Sequence, residues 1–99
     1  MAYTGGTVSI TLACRLTLDP HARFRRVGAE GVIVQQSTAE VLVVNDTAAR
    51  LVELSDGART IGDCAGQIEA DFEVDGEAVA RDVILFAEEL VAAGVAKVQ

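Results

Sequence analysis

From residue 8 the chain alternates between apolar and polar positions. Val8, Ile10, Leu12, Cys14, Leu16 and Leu18 take one parity, and Ser9, Thr11, Ala13, Arg15 and Thr17 take the other. A period of two belongs to a half-buried strand, so the pattern predicts an N-terminal strand over 8–18, broken by Asp19-Pro20. A short extended piece over 24–27 and a turn at Gly28-Ala29-Glu30-Gly31 follow. Val32-Ile33-Val34-Gln35-Gln36 and Val41-Leu42-Val43-Val44 are two further β-rich runs, separated by a turn at Ser37-Thr38-Ala39. Runs this short and this closely spaced predict an antiparallel meander.

The period then lengthens. Asn45, Asp46 or Thr47 can cap a helix whose apolar face is Ala48, Leu51, Val52 and Leu54, ended by Asp56-Gly57. Thr60 and Asp63 form a capping-box pair ahead of Ile61, Cys64, Ala65, Ile68 and Phe72, a second helix that ends near Glu73-Val74. Asp75 caps a third and longer helix over 76–93, closed by Gly94, and 95–98 is a short extended tail. Strands followed by helices predict an α+β domain. No repeat, low-complexity tract or internal linker interrupts 1–99, which is expected to be one domain with 1–7 flexible.

The third helix carries more apolar surface than a simple surface helix needs. Val79, Val83, Phe86 and Leu90 form one stripe, and Ala80, Ile84, Ala87 and Val91 form a second beside it. Together they span an arc of roughly 160°. One stripe can pack on the core while the other faces a partner, or the domain can bury both. The run Val41-Leu42-Val43-Val44 is apolar at successive positions, which suits a strand buried on both faces. At the edge of a small sheet the same run instead offers free backbone groups to an added strand.

Composition narrows the choice of function. The chain has 99 residues, of which 51% are hydrophobic and only 4% aromatic, so its core is aliphatic. Its net charge of −7 repels phosphate backbones, whereas nucleic-acid binders draw their affinity from Lys and Arg. No apolar run reaches the roughly 18 residues that span a bilayer. The N-terminus lacks the features of a signal peptide, so a cytoplasmic location is expected. Cys14 and Cys64 match no metal-site spacing and are expected to be ordinary apolar residues.

Candidate chemistry is sparse. His21, the single histidine, follows Pro20 in a loop and has no ligand partner at a metal-like spacing. Ser9, Ser37 and Ser55 sit in no nucleophile elbow, and no phosphate-binding glycine loop or zinc motif is present. Asp71, Glu73, Asp75 and Glu77 do not meet the calcium-loop pattern and read as a solvated turn that also caps a helix. Nothing assembles an acid, a base and a nucleophile, so no enzyme activity, cofactor or metal is expected.

Several segments, taken in order, resemble the PqqD family, the pyrroloquinoline quinone biosynthesis protein D group. They are Gly31-Val32-Ile33-Val34, Val41-Leu42-Val43-Val44-Asn45-Asp46-Thr47-Ala48-Ala49, and Asp56-Gly57 with Thr60-Ile61. Phe72-Glu73-Val74-Asp75, Glu77 with Val79, Asp82-Val83, Phe86, Glu89-Leu90 and Gly94-Val95 continue the series. The resemblance covers 24–98. It implies a winged-helix-like domain in which a small antiparallel sheet of three strands, with a possible fourth from the N-terminal segment, precedes three helices.

The resemblance also implies a non-catalytic function. Such a domain recognises the leader of a ribosomally made precursor peptide as an added strand and presents it to a modifying enzyme, often a radical SAM enzyme. Pyrroloquinoline quinone synthesis and related peptide pathways both use such domains. Carried onto this chain, the cleft lies between the third run and the third helix. Val41, Leu42, Val43 and Val44 line one wall. Ala80, Ile84, Ala87 and Val91, or Val83 with Phe86 and Leu90, line the other, and the helical pattern favours the former. Arg81 is a candidate contact for an acidic leader. The strand over 8–18 departs from the family pattern; it can cover the free edge or exchange between two chains to form a homodimer. The competing function is that of a winged-helix regulatory domain that binds DNA or protein.

Overall fold

The computed structural model describes residues 10–99. The segment 1–7, expected to be flexible, and the first two positions of the strand expected over 8–18 lie outside the described residues. The elements in chain order are β1 (Arg15–Leu18), β2 (Ala22–Val27), β3 (Glu30–Gln35), β4 (Glu40–Val44), α1 (Asp46–Leu54), β5 (Asp56–Thr60), α2 (Ile61–Phe72), α3 (Gly76–Ala92) and β6 (Ala96–Val98). The chain is α+β, with three helices and two three-stranded antiparallel sheets of order β2-β3-β4 and β5-β1-β6.

The first sheet is the meander that the alternation foretold. Ile33 pairs with Phe24 on one side and Leu42 on the other, and this parity faces the helices. Ile33 is fully buried while Leu42 and Phe24 pack against the core from its margin. Gly31 shows why the start of β3 needs a glycine. A Cβ there would come within 2.6 Å of the Phe24 ring and 3.0 Å of the Ala49 methyl, so the sheet and α1 meet at van der Waals contact only without it. β4 is the outer strand on its side, paired to β3 alone among the described residues.

The N-terminal segment behaves differently from the expectation. Only Arg15–Leu18 is a strand. Thr11 diverts the preceding residues into a turn: its carbonyl accepts from the Cys14 N–H at 3.1 Å and its hydroxyl from the Ala13 N–H at 3.3 Å. Such local side-chain bonds compete with a strand ladder. β1 does not join the meander as a fourth strand and does not cover β4. It is the centre of the second sheet, pairing Arg15 with Thr60 in β5 and Leu16 with Val98 in β6.

β5 was not anticipated. Asp56-Gly57 does not terminate α1 but opens this strand, with the Asp56 carboxylate accepting from the Ala58 and Arg59 N–H groups at 2.9 and 3.0 Å. α1 ends one residue earlier at Ser55, whose hydroxyl donates to the Leu51 carbonyl at 2.6 Å.

The helix starts follow the capping residues. Asn45 accepts from the Ala48 N–H, Asp75 from the Ala78 N–H, and Thr60 and Asp63 close a reciprocal capping box at 3.0 Å in both directions. α3 ends in a Schellman turn: Gly94 sits at φ +77°, its N–H reaches the Val91 carbonyl, and the Val95 N–H reaches that of Leu90. The core fills the space between the meander and the helices, with Leu16, Ile33, Leu51, Ile61, Ile68, Val83 and Leu90 among its buried side chains.

Candidate functional site

The chemistry-bearing residues do not converge. His21 lies in an exposed turn, its Nδ1 3.5 Å from an Asp19 carboxylate oxygen. Cys64 is buried and burial pushes its thiol pKa up, while Cys14 is half-buried and bonded to Thr11. Among the described residues no group of His, Cys, Asp or Glu is arranged to hold a metal ion, and no helix is long and apolar enough to cross a membrane. The acidic residues around position 75 serve the fold: Asp75 caps α3, and Asp71 pairs with Arg50 of α1 at 3.1 Å.

A groove of about 310 Å³ lies between β4 and α3. Leu42, Val43 and Val44 of β4 form one wall, Asn45 and Ala48 at the start of α1 form its end, and Phe86, Glu89 and Leu90 of α3 form the other wall. A second hollow of about 200 Å³ continues along β4, between Glu40, Val41 and Leu42 and the residues Ala92, Ala93 and Val95 at and just beyond the end of α3. The two hollows share Leu42 and follow the edge strand along its length.

Strand geometry decides which β4 side chains enter the groove. Leu42 and Val44 share the inward parity and are half-buried, whereas Val41 and Val43 are 62% and 59% exposed. The four-residue apolar run is therefore not a strand buried on both faces. It is an edge strand with an apolar outer face and, among the described residues, no strand on the side away from β3.

Helix geometry decides the other wall: of the two stripes, the one with Phe86 and Leu90 borders the groove. Val83 and Ala87 are fully buried, with Val79 and Leu90 beside them, so the core takes the centre of the apolar arc. The groove receives the margin that holds Phe86 and Leu90. Ala80, Arg81, Val83, Ile84, Ala87 and Val91 do not line it. The arc is wide enough to face the core at its centre and the groove at one margin, and the rotation of α3 is set by its packing on α2, which periodicity does not encode.

Two further wall components escaped the sequence pattern. The sequence reading places Asn45 and Ala48 at the cap and on the apolar face of a helix, and all three of Asn45, Ala48 and Glu89 in segments that resemble the family, but assigns none of them to the cleft. The available signal for Glu89 was its place on the helical wheel, next to Phe86 on the side away from the second stripe. Glu89 is exposed and makes no ion pair or side-chain hydrogen bond among the described residues. Arg81, also exposed, stands outside the groove.

Known proteins align with this arrangement. The family model for coenzyme PQQ synthesis protein D (PqqD) matches residues 30–96, which takes in β3, β4, all three helices and both walls of the groove. A PqqA binding protein from Bradyrhizobium diazoefficiens is 29% identical over 83 residues, covering 84% of this chain and 81% of that protein. The fold superimposes on a stand-alone peptide recognition element, the PqqD part of PqqCD from Methylobacterium extorquens, with a TM-score of 0.76 at 16% identity, over 90% of this chain and 95% of the other. It also superimposes on a lasso peptide synthetase B1 solved with its leader peptide, with a TM-score of 0.73 at 23% identity, over 84% and 98% of the two chains. TbiB1, solved with the TbiA(beta) leader peptide, gives the same TM-score of 0.73 at 17% identity, over 82% and 94%.

Proposed function

The chain belongs to the PqqD family, and we propose that it is a non-catalytic module that binds the leader segment of a ribosomally made precursor peptide. The leader adds as a strand along the free edge of β4, with its inward side chains in the groove beside α3. In that position it is presented to the enzyme that modifies the peptide, a radical SAM enzyme or one of another class. The observation that carries the proposal is the coincidence of an unpaired edge strand with an apolar groove along the same strand. Backbone groups of β4 that face away from β3 supply bonding that any sequence can satisfy, and the hollows select side chains at alternate positions. The similarity to a PqqA binding protein, and to folds solved with leader peptides, supports the same assignment.

Charge weighs against the alternative of a DNA-binding winged helix. α2 holds no Lys or Arg, and α3 sets Arg81 against Asp82, Glu88 and Glu89. A recognition helix of that composition repels the phosphates that it must approach.

Titration of isotope-labelled protein with the leader peptide encoded nearest its gene tests the proposal by NMR. Amide shifts should concentrate in Glu40–Val44 and around Phe86 to Leu90, and alternate β4 amides should gain protection from hydrogen exchange. A folded protein whose β4 amides neither shift nor gain protection at saturating peptide would overturn strand addition.

A further inference from the structure

We infer that the segment taken up by this groove carries a basic side chain, lysine or arginine, that lies over the Glu89 carboxylate, resting on the strand addition at β4 set out above. The groove wall is otherwise apolar or neutral. Of the residues lining its two hollows only Glu89 and Glu40 are charged, and both are carboxylates. No lysine or arginine lines either hollow, and Arg81, the one cation of α3, stands outside them.

The two carboxylates are not equivalent. Glu40 accepts a hydrogen bond from the Thr38 hydroxyl at 3.1 Å, which ties it to its own turn. Glu89 has no counterpart among the described residues. Among the described residues Asp46 and Glu53 pair with Arg26 and Asp71 with Arg50, whereas Glu69, Glu77, Asp82, Glu88 and Glu89 on α2 and α3 have no ion pair, and of these five Glu89 alone lines a hollow. Glu89 is left with an open partner position beside Phe86 and Leu90, where a bound segment displaces part of the water and strengthens attraction to a cation. An acidic side chain at the same place would meet repulsion instead, so this position both favours one charge and rejects the other.

The occupant so described is an extended segment with apolar residues at the inward positions and one basic residue at a fixed spacing from them. The charge preference is opposite to that expected from Arg81.

A displayed library of extended ten-residue peptides, selected against the full chain and its E89Q, E89K and E40Q variants, tests the inference. Glu89 is exposed, and matching thermal melts would establish that the variants fold alike. Peptides selected by the parent chain should share Lys or Arg at one position relative to an apolar anchor. That preference should vanish with E89Q, turn to Asp or Glu with E89K, and survive E40Q. For one selected peptide, replacing the basic residue by norleucine should weaken binding about two- to fivefold in the parent and leave it unchanged in E89Q. The same peptide should lose affinity with added salt in the parent and much less in E89Q. Groove binding with no charge preference, or a preference that E89Q retains, would overturn the role of Glu89 while leaving strand addition intact. Selected peptides that bind without perturbing β4 amides would overturn both.

Discussion

Among the described residues Gln35 is the one buried polar side chain, 4% exposed at the end of β3. Its amide N–H donates to the Gly94 carbonyl at 2.7 Å, and its carbonyl oxygen accepts from the Ser37 N–H and hydroxyl at 3.2 and 2.9 Å. One side chain thus ties the meander to the turn that closes α3, which sets the two walls of the groove against each other. Gln35→Leu keeps roughly the same volume and removes the bonds to Gly94 and Ser37. An intramolecular hydrogen bond contributes about 0.5–1.5 kcal/mol net, so urea unfolding should show a loss of about 1–3 kcal/mol. Peptide affinity should fall as well, because the loss loosens the wall-to-wall distance.

Two residues of α3, three positions apart, separate packing from recognition. Val83 is fully buried in the core, and Phe86 is half-buried and lines the groove. Val83→Ala should lower unfolding stability by about 1–3 kcal/mol and leave peptide affinity near its parent value. Phe86→Ala should reduce affinity at least as strongly as it reduces stability, read by titration beside denaturant melts. The contrast follows from how the elements came to be legible in the sequence. Caps and alternation are local, so Asn45, Thr60 with Asp63, Asp75 and the meander could be read from the chain alone. The rotation of α3 and the pairing of Asp56–Thr60 are tertiary: Asp56-Gly57-Ala58-Arg59-Thr60 has no apolar alternation and becomes a strand because β1 lies beside it. Residues 10–14 show the reverse case, where alternation continued but the Thr11 turn prevailed. The candidate site was half visible for the same reason. Its strand wall is a local run, and its helix wall depends on which margin of a broad arc the core takes.

At the scale of the whole molecule, β1 holds the second sheet together, since β5 and β6 each pair only with it. Removing residues 1–18 deletes that centre along with Ile10 and Leu16 from the core. The shortened chain should unfold at markedly lower denaturant or lose its cooperative transition. A truncation that kept full stability would show instead that the meander and helices stand alone.

Acid sensitivity is a second property of the whole fold, and it rests on carboxylates in the turn after β1, in β5 and in α1. Bonding to the Arg26 guanidinium, helped by Arg50, holds Glu53 below the usual carboxylate range. The His21 N–H does the same for Asp19, and the Arg59 and Ala58 N–H groups for Asp56. A carboxylate with a depressed pKa in the folded state contributes stability above its unfolded value, near pH 4, and loses it as pH falls through the folded value. Unfolding free energy should therefore be level from neutral pH to about 5 and decline steadily below about 4. Arg26 spans β2 and α1, bonding Asp46 at 2.6 Å and Glu53 at 2.9 Å, so it is the place to intervene. Arg26→Met should lower the neutral plateau and flatten the acid slope together, because Glu53 then titrates nearer its ordinary value. A variant with a lower plateau and an unchanged slope would assign the acid sensitivity to Asp19 and Asp56, whose partners are mainly backbone N–H groups that Arg26 does not touch.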